Sequence, residues 1–112
     1  MGTLKSKRAK ACDIPKRVKE RVWERDGGCC IFCGNGVNVM PNAHVIPRSK
    51  GGLGVEENIV TACTMLTKNK CHYYLDNGDE WQRKTMLESA ERYLRQHYPG
   101  WDKDKYTYRK GV

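Results

Sequence analysis

Six cysteines and three histidines are the side chains of this 112-residue chain best suited to holding a metal or moving a proton. Cys30 and Cys33 flank Ile31-Phe32 in a run that ends at Gly34, so one tight turn can present both sulfurs. Structural zinc takes four ligands in a tetrahedron, commonly thiolates in closely spaced pairs. Cys63 and Cys71 supply a second pair, less regular because Thr64 to Lys70 separate them and must bulge out as a loop. The expected site is therefore zinc on Cys30, Cys33, Cys63 and Cys71; the competing view is that some of these are merely buried small apolar side chains. Four thiolates leave no open position, which makes such a zinc a scaffold whose affinity is folding free energy. Cys12 and Cys29 read as spectators, although Cys29 can replace a neighbour if the turn shifts.

Between the two pairs runs Asn42-Ala43-His44-Val45-Ile46-Pro47-Arg48-Ser49-Lys50-Gly51-Gly52, then Glu57-Asn58-Ile59-Val60, and Cys71-His72 closes the series. Arg25-Asp26-Gly27-Gly28 leads into the first pair. In this order and spacing the chain resembles HNH endonucleases with a four-cysteine zinc site, the small phage-type members in particular. The likeness covers about residues 17–78 and, weakly, the helix and Pro-Gly-Trp segment beyond. It implies an α+β fold with a ββα-metal (His-Me finger) core and hydrolysis of DNA phosphodiester bonds to 5′-phosphate and 3′-hydroxyl ends. The general-base position of the family falls on His44, the middle position on Asn58, and the metal-ligand position on His72.

Residue chemistry agrees with those roles. Water is a poor nucleophile until a base takes its proton, and an imidazole titrating near neutrality suits that task. A divalent cation (Mg²⁺, or Mn²⁺ or Ni²⁺) offsets charge growing on the scissile phosphate and the leaving oxygen. The Asn58 amide would fix the loop between the strands and hold His44 in line; its plainer reading is a turn-capping amide. A lone histidine is more often a satisfied polar group, His72 can also be read as a fourth zinc ligand, and His97 looks like an ordinary helix residue. One departure stands out. Many relatives carry Asp or His just before the base and use it to bind the metal, whereas this chain has Ala43. The ion would then rest on His72, phosphate oxygens and waters, with help from Asn58 or His44. Arg48 and Lys50 beside the site, with Lys68 and Lys70 in the widened loop, are candidate backbone grips; loop solubility is the alternative.

These residues need elements to carry them. Asp13 and Pro15 mark a helix start, Ile14, Val18 and Val22 recur on one face, and Gly27-Gly28 ends the helix. Residues 37–46 lean to strand but are broken by Pro41, and Asn58 to Thr61 form a second short strand. The glycine-rich stretch from Ser49 to Gly54 is expected to run over the surface. Cys71 to Leu75 open a short helix ending near Asn77-Gly78. A longer helix over 79–98 buries Met86, Leu87, Ala90, Tyr93 and Leu94, and Pro99-Gly100 stops it. Residues 1–12 read as a flexible basic arm and 13–112 as one domain, with its core at about 37–78. The basic aromatic tail, 99–112, suits either DNA contacts with stacking or a flap packed on the body.

Composition narrows the classes. With 38% hydrophobic residues and 30% charged, burial alone leaves stability marginal, so a staple of metal or disulfides is expected. Lys5, Lys7, Arg8 and Lys10 open the chain without the apolar run of a secretory signal, and no stretch nears the ~18 apolar residues of a membrane span. An intracellular (cytoplasmic) setting is expected, where clustered thiols bind metal more often than they pair. The net charge of +8 attracts polyanions without any sequence preference. The charge points to nucleic acid; the resemblance implies double-stranded DNA as the partner and adds phage-packaging or restriction proteins. The rival function is a catalytically silent zinc-stabilised DNA-binding module, and RNA is the minor alternative substrate.

Overall fold

The computed structural model describes residues 6–109; Lys5 of the expected arm and Lys110 of the expected tail lie outside them. The architecture is α+β, a two-stranded antiparallel sheet set among helices. Helix α2 (Lys16–Arg25) starts after Pro15, buries Val18 and Val22 on one face, and stops at Asp26. Gly27 and Gly28 follow with φ of 63° and 67°, a backbone conformation that an L side chain resists. Val18 and Val22 pack with Ile59 into a small cluster edged by Ile14.

Strands β1 (Val39–His44) and β2 (Ile59–Cys63) pair Val39 with Cys63, Met40 with Ala62, Ala43 with Val60 and His44 with Ile59. The register slips between Met40 and Ala43. Pro41 lies in that interval and has no N–H to give to the ladder, so a bulge there is the expected outcome. Every residue of β2 is buried, because α2 packs on both strands and α3 (Cys71–Asn77) packs on β2. Helix α4 (Glu80–His97) begins at Asp79, whose carboxylate accepts from the Gln82 amide at 2.8 Å, and lies against α3. Ala90 and Leu94 of its predicted stripe are fully buried, whereas Met86, Leu87 and Tyr93 pack at the margin. The main core gathers Val60, Leu75, Leu94 and Trp101 around three of the paired cysteines, Cys30, Cys63 and Cys71.

Arg25 and Asp26 form an interior ion pair that ties α2 to β2 and α4. The guanidinium donates to both Asp26 oxygens (2.7 and 3.2 Å) and to the Glu56 and Ile59 carbonyls (2.6 and 2.7 Å). Asp26 also accepts from the Thr61 amide at 2.8 Å and the Tyr93 hydroxyl at 2.5 Å. Such a pair is costly to break, because removing one partner strands a buried charge.

Two expectations are corrected, and one open choice is narrowed. The flexible arm does not extend to residue 12: Lys7–Cys12 form helix α1, capped by the Ser6 hydroxyl, with Cys12 buried. The glycine-rich stretch runs over the surface only at Ser49 and Lys50, since Gly51, Gly52 and Gly54 are buried. Both differences have one cause, for α1 and the tail close over that stretch. Gly54 N–H donates to the Ala11 carbonyl, Leu53 N–H to the Tyr106 carbonyl and Tyr108 N–H to the Gly51 carbonyl, all at 2.7–2.9 Å. A Cβ at Gly52 would lie 1.7 Å from the Ile46 carbonyl oxygen, and one at Gly54 would lie 1.8 Å from that of Asp13. Only glycine fits at either place. Thirdly, of the two uses open to the tail, its described part takes the packed one. Trp101 is 5% exposed, donates from Nε1 to the Glu57 carbonyl at 2.7 Å and stacks on Tyr106.

Candidate active site and metal centre

The four paired cysteines converge. Their Sγ atoms all lie within 4.8 Å of one another, with Cys33 and Cys63 at 3.3 Å. A tetrahedron with Zn–S bonds of ~2.3 Å has sulfurs ~3.8 Å apart, so this cluster is positioned to hold a metal ion and is consistent with a structural zinc site. The turn that makes it possible is local: Cys30 N–H donates to the Asn35 carbonyl and Gly34 N–H to the Cys30 carbonyl, both at 2.8 Å. Ile31 N–H then bonds the Thr61 carbonyl at 3.1 Å, fastening the knuckle to β2. Burial pushes the Cys30 and Cys71 thiols up. Burial also opposes ionisation of Cys33, but the Asn69 side chain and the Asn35 backbone outweigh it and hold that thiol at about 7. Cys12 and Cys29 stand outside the cluster.

A second site lies in a cleft of about 790 Å³ between β1, α3 and the turn after β1. His44, His72 and Arg48 all line it. His44 Nε2 lies 2.9 Å from the Cys12 carbonyl oxygen, at the end of α1. A carbonyl can only accept, so this bond places the ring proton on Nε2 and leaves the Nδ1 lone pair without a hydrogen-bond partner among the described residues. The same carbonyl accepts from Arg48 Nη1 at 2.8 Å, and Arg48 Nη2 donates to Asp13 Oδ1 at 2.9 Å. His44 is held below the ordinary imidazole range, first by burial and then by the Arg48 charge, against the pull of the Cys12 bond. That direction favours the neutral ring.

His72 and Asp76 are one turn apart on α3, with Nε2 and Oδ2 at 3.4 Å and both side chains partly exposed. An imidazole and a carboxylate with open positions around them are a donor set that suits divalent ions with oxygen or nitrogen preference. Ala43 is fully buried in the core cluster, while Asn42 and His44 on either side of it line the cleft. Strand alternation accounts for this, since neighbours point to opposite faces. The Asn42 Oδ1 is buried without a hydrogen-bond partner.

Asn58 stands behind the cleft, fully buried. Its Oδ1 accepts from the Ile46 amide at 2.7 Å, and its Nδ2 donates to the Leu53 and Ile46 carbonyls at 2.9 and 3.2 Å. It spans the loop that follows His44. Lys50, Lys68 and Lys70 do not line the cleft, whose basic lining is Arg48 with Lys19 and Arg83. His97 lies apart, against the Tyr93 ring.

Sequence reasoning overlooked Asn42, Asp76, Lys19 and Arg83. Two of these had a readable signal: Asp76 is four residues after His72 on a predicted helix, and Asn42 is two before His44 on a predicted strand. Lys19 and Arg83 reach the cleft only through the packing of α2 and α4. No helix of the described residues is long and apolar enough to cross a membrane. No family model, no curated protein and no solved structure matches the chain, so the meaning of this geometry rests on its own residues.

Proposed function

We propose that the chain is a metal-dependent DNA endonuclease of the HNH, ββα-metal kind, with a structural zinc on Cys30, Cys33, Cys63 and Cys71. One observation carries the reading. A neutral imidazole with a fixed tautomer shares a cleft with a His–carboxylate pair and a guanidinium. His44 Nδ1 takes the proton of an attacking water. Cys12 holds the ring in that orientation through its carbonyl, and Asn58 secures the loop beyond it. His72 and Asp76 would hold a divalent cation (Mg²⁺, Mn²⁺ or Ni²⁺), in place of the ligand that Ala43 cannot supply. When bound, that ion supplies positive charge for the phosphate and the leaving 3′ oxygen. Arg48, Lys19 and Arg83 bind the phosphate backbone on a basic molecule, contacts that position duplex DNA without reading bases.

The test is supercoiled plasmid incubated with each divalent ion, with a chelator control and the His44→Ala variant. Metal-dependent nicking should fall ~10²-fold or more in the variant. Tight binding with no nicking under any ion would favour the silent DNA-binding module instead.

A further inference from the structure

The loop between Cys63 and Cys71 is longer than the metal centre needs, since two residues between thiols serve at the first pair. It is nonetheless ordered by its own threonines. Thr64 Oγ1 donates to the Asn38 carbonyl at 2.8 Å and accepts from the Leu66 amide at 3.3 Å. Thr67, buried, donates from Oγ1 to the Thr64 carbonyl and accepts from the Lys70 amide at 2.8 and 2.9 Å. Both ends are held at clustered cysteines, and what the tip displays is apolar: Met65 is 59% and Leu66 79% exposed. Lys68 follows, also exposed, and the segment holds no acidic residue.

Position gives this tip a use. Thr64, Met65 and Leu66 wall a groove of about 460 Å³ whose other side is Asn42, His72 and Asp76. Those three also line the candidate active cleft, so the two depressions adjoin. A duplex whose phosphate reached His44 and His72 would bring its neighbouring base steps against Leu66. Apolar side chains such as Leu and Met, beside basic contacts, are the means by which proteins wedge into a base step and kink the duplex.

Resting on the nuclease reading, we infer that Met65 and Leu66 form a wedge that unstacks a base step of duplex DNA next to the scissile phosphate. Partial unstacking widens the groove locally and lets the backbone settle deeper between β1 and α3. The partner that fits is a deformable duplex, so flexible pyrimidine–purine steps should be favoured without hydrogen-bond readout.

The experiment uses the full-length His44→Ala protein, which should bind without cutting, and short duplexes carrying 2-aminopurine at successive positions. Binding should raise the fluorescence at one or two adjacent positions, where the base is unstacked. Adding Leu66→Ala should remove that rise and weaken binding about tenfold, the low end of what burying one leucine side chain supplies. Trp81→Ala, an equally exposed apolar residue on α4 that lines neither depression, should change neither. Unchanged fluorescence in the Leu66 variant overturns the wedge while leaving the nuclease intact, and the tip is then a docking point for protein. Failure of the parent protein to bind any duplex removes both the wedge and the DNA-cutting reading.

Discussion

At the scale of single residues, the proposed chemistry turns on what surrounds one ring. On the nuclease reading His44 can act as a base only while neutral, and two features favour that form: burial of the ring and the Arg48 guanidinium sharing its Cys12 carbonyl. The sign follows directly. A lowered pKa keeps the basic form present further into acid, so the acid limb of the pH–rate profile should lie below 6.5, the ordinary imidazole value. Arg48→Gln removes a positive charge that disfavours the imidazolium, so its limb should move to higher pH, alongside any loss of substrate affinity. Single-turnover nicking from pH 5 to 8 at saturating DNA reads this; an unmoved limb would show that another group sets it. Residue identity made part of this legible. His44, Asn58 and His72 could be singled out from order and spacing, and Asp76 could have been from its place one turn after His72. Which ring nitrogen is free could not, because that depends on a backbone carbonyl 32 residues away.

At the scale of elements, helix α1 is where sequence and structure part. Its residues, Lys7-Arg8-Ala9-Lys10-Ala11-Cys12, show no apolar stripe, and charge density alone reads as a solvated arm. Its order comes from ends rather than faces. Cys12 is buried, Arg8 donates to the Arg48 and Ser49 carbonyls at 3.3 and 2.8 Å, and Ala11 receives Gly54. None of these bonds has a local sequence signal. The strands and the other helices were readable within a few residues, because hydrophobic period, Pro41 and the Gly27-Gly28 stop act locally. If α1 positions the base, a chain starting at Ile14 should keep its metal and its α2–α4 helicity, since those elements pack without it. Loss of the carbonyl that orients His44 should then cost ~10²-fold in kcat for nicking, within the range for a misplaced base. Equal kcat with and without residues 1–13, at saturating DNA and equal zinc content, would show that the helix only covers the loop.

At the scale of the whole molecule, the question is what keeps so small a core folded. A two-stranded sheet is not stable alone, and the apolar interior is divided between a cluster of three buried residues on α2 and β2 and a larger one built around cysteines. Three of the four clustered thiols sit inside that larger core, so a metal there is interior rather than peripheral. Structural zinc contributes about 10–16 kcal/mol in small domains, whereas net stability of a domain is about 5–15 kcal/mol. If the four thiols hold zinc, removing it would take away as much as the fold has in hand. The Arg25–Asp26 network survives such a loss only if the core around it does, because its partners reach from β2 and α4. A zinc chelator should accordingly abolish the cooperative melt and the near-ultraviolet signal of the buried Trp101, and added Zn²⁺ should restore both. Cys33→Ser should behave like the chelated protein even though Cys33 is the exposed member, since three thiols leave the tetrahedral donor set incomplete. A metal-free protein that melts at the same temperature would mean that the thiols are packing groups, with stability resting on the ion pair and Trp101 instead.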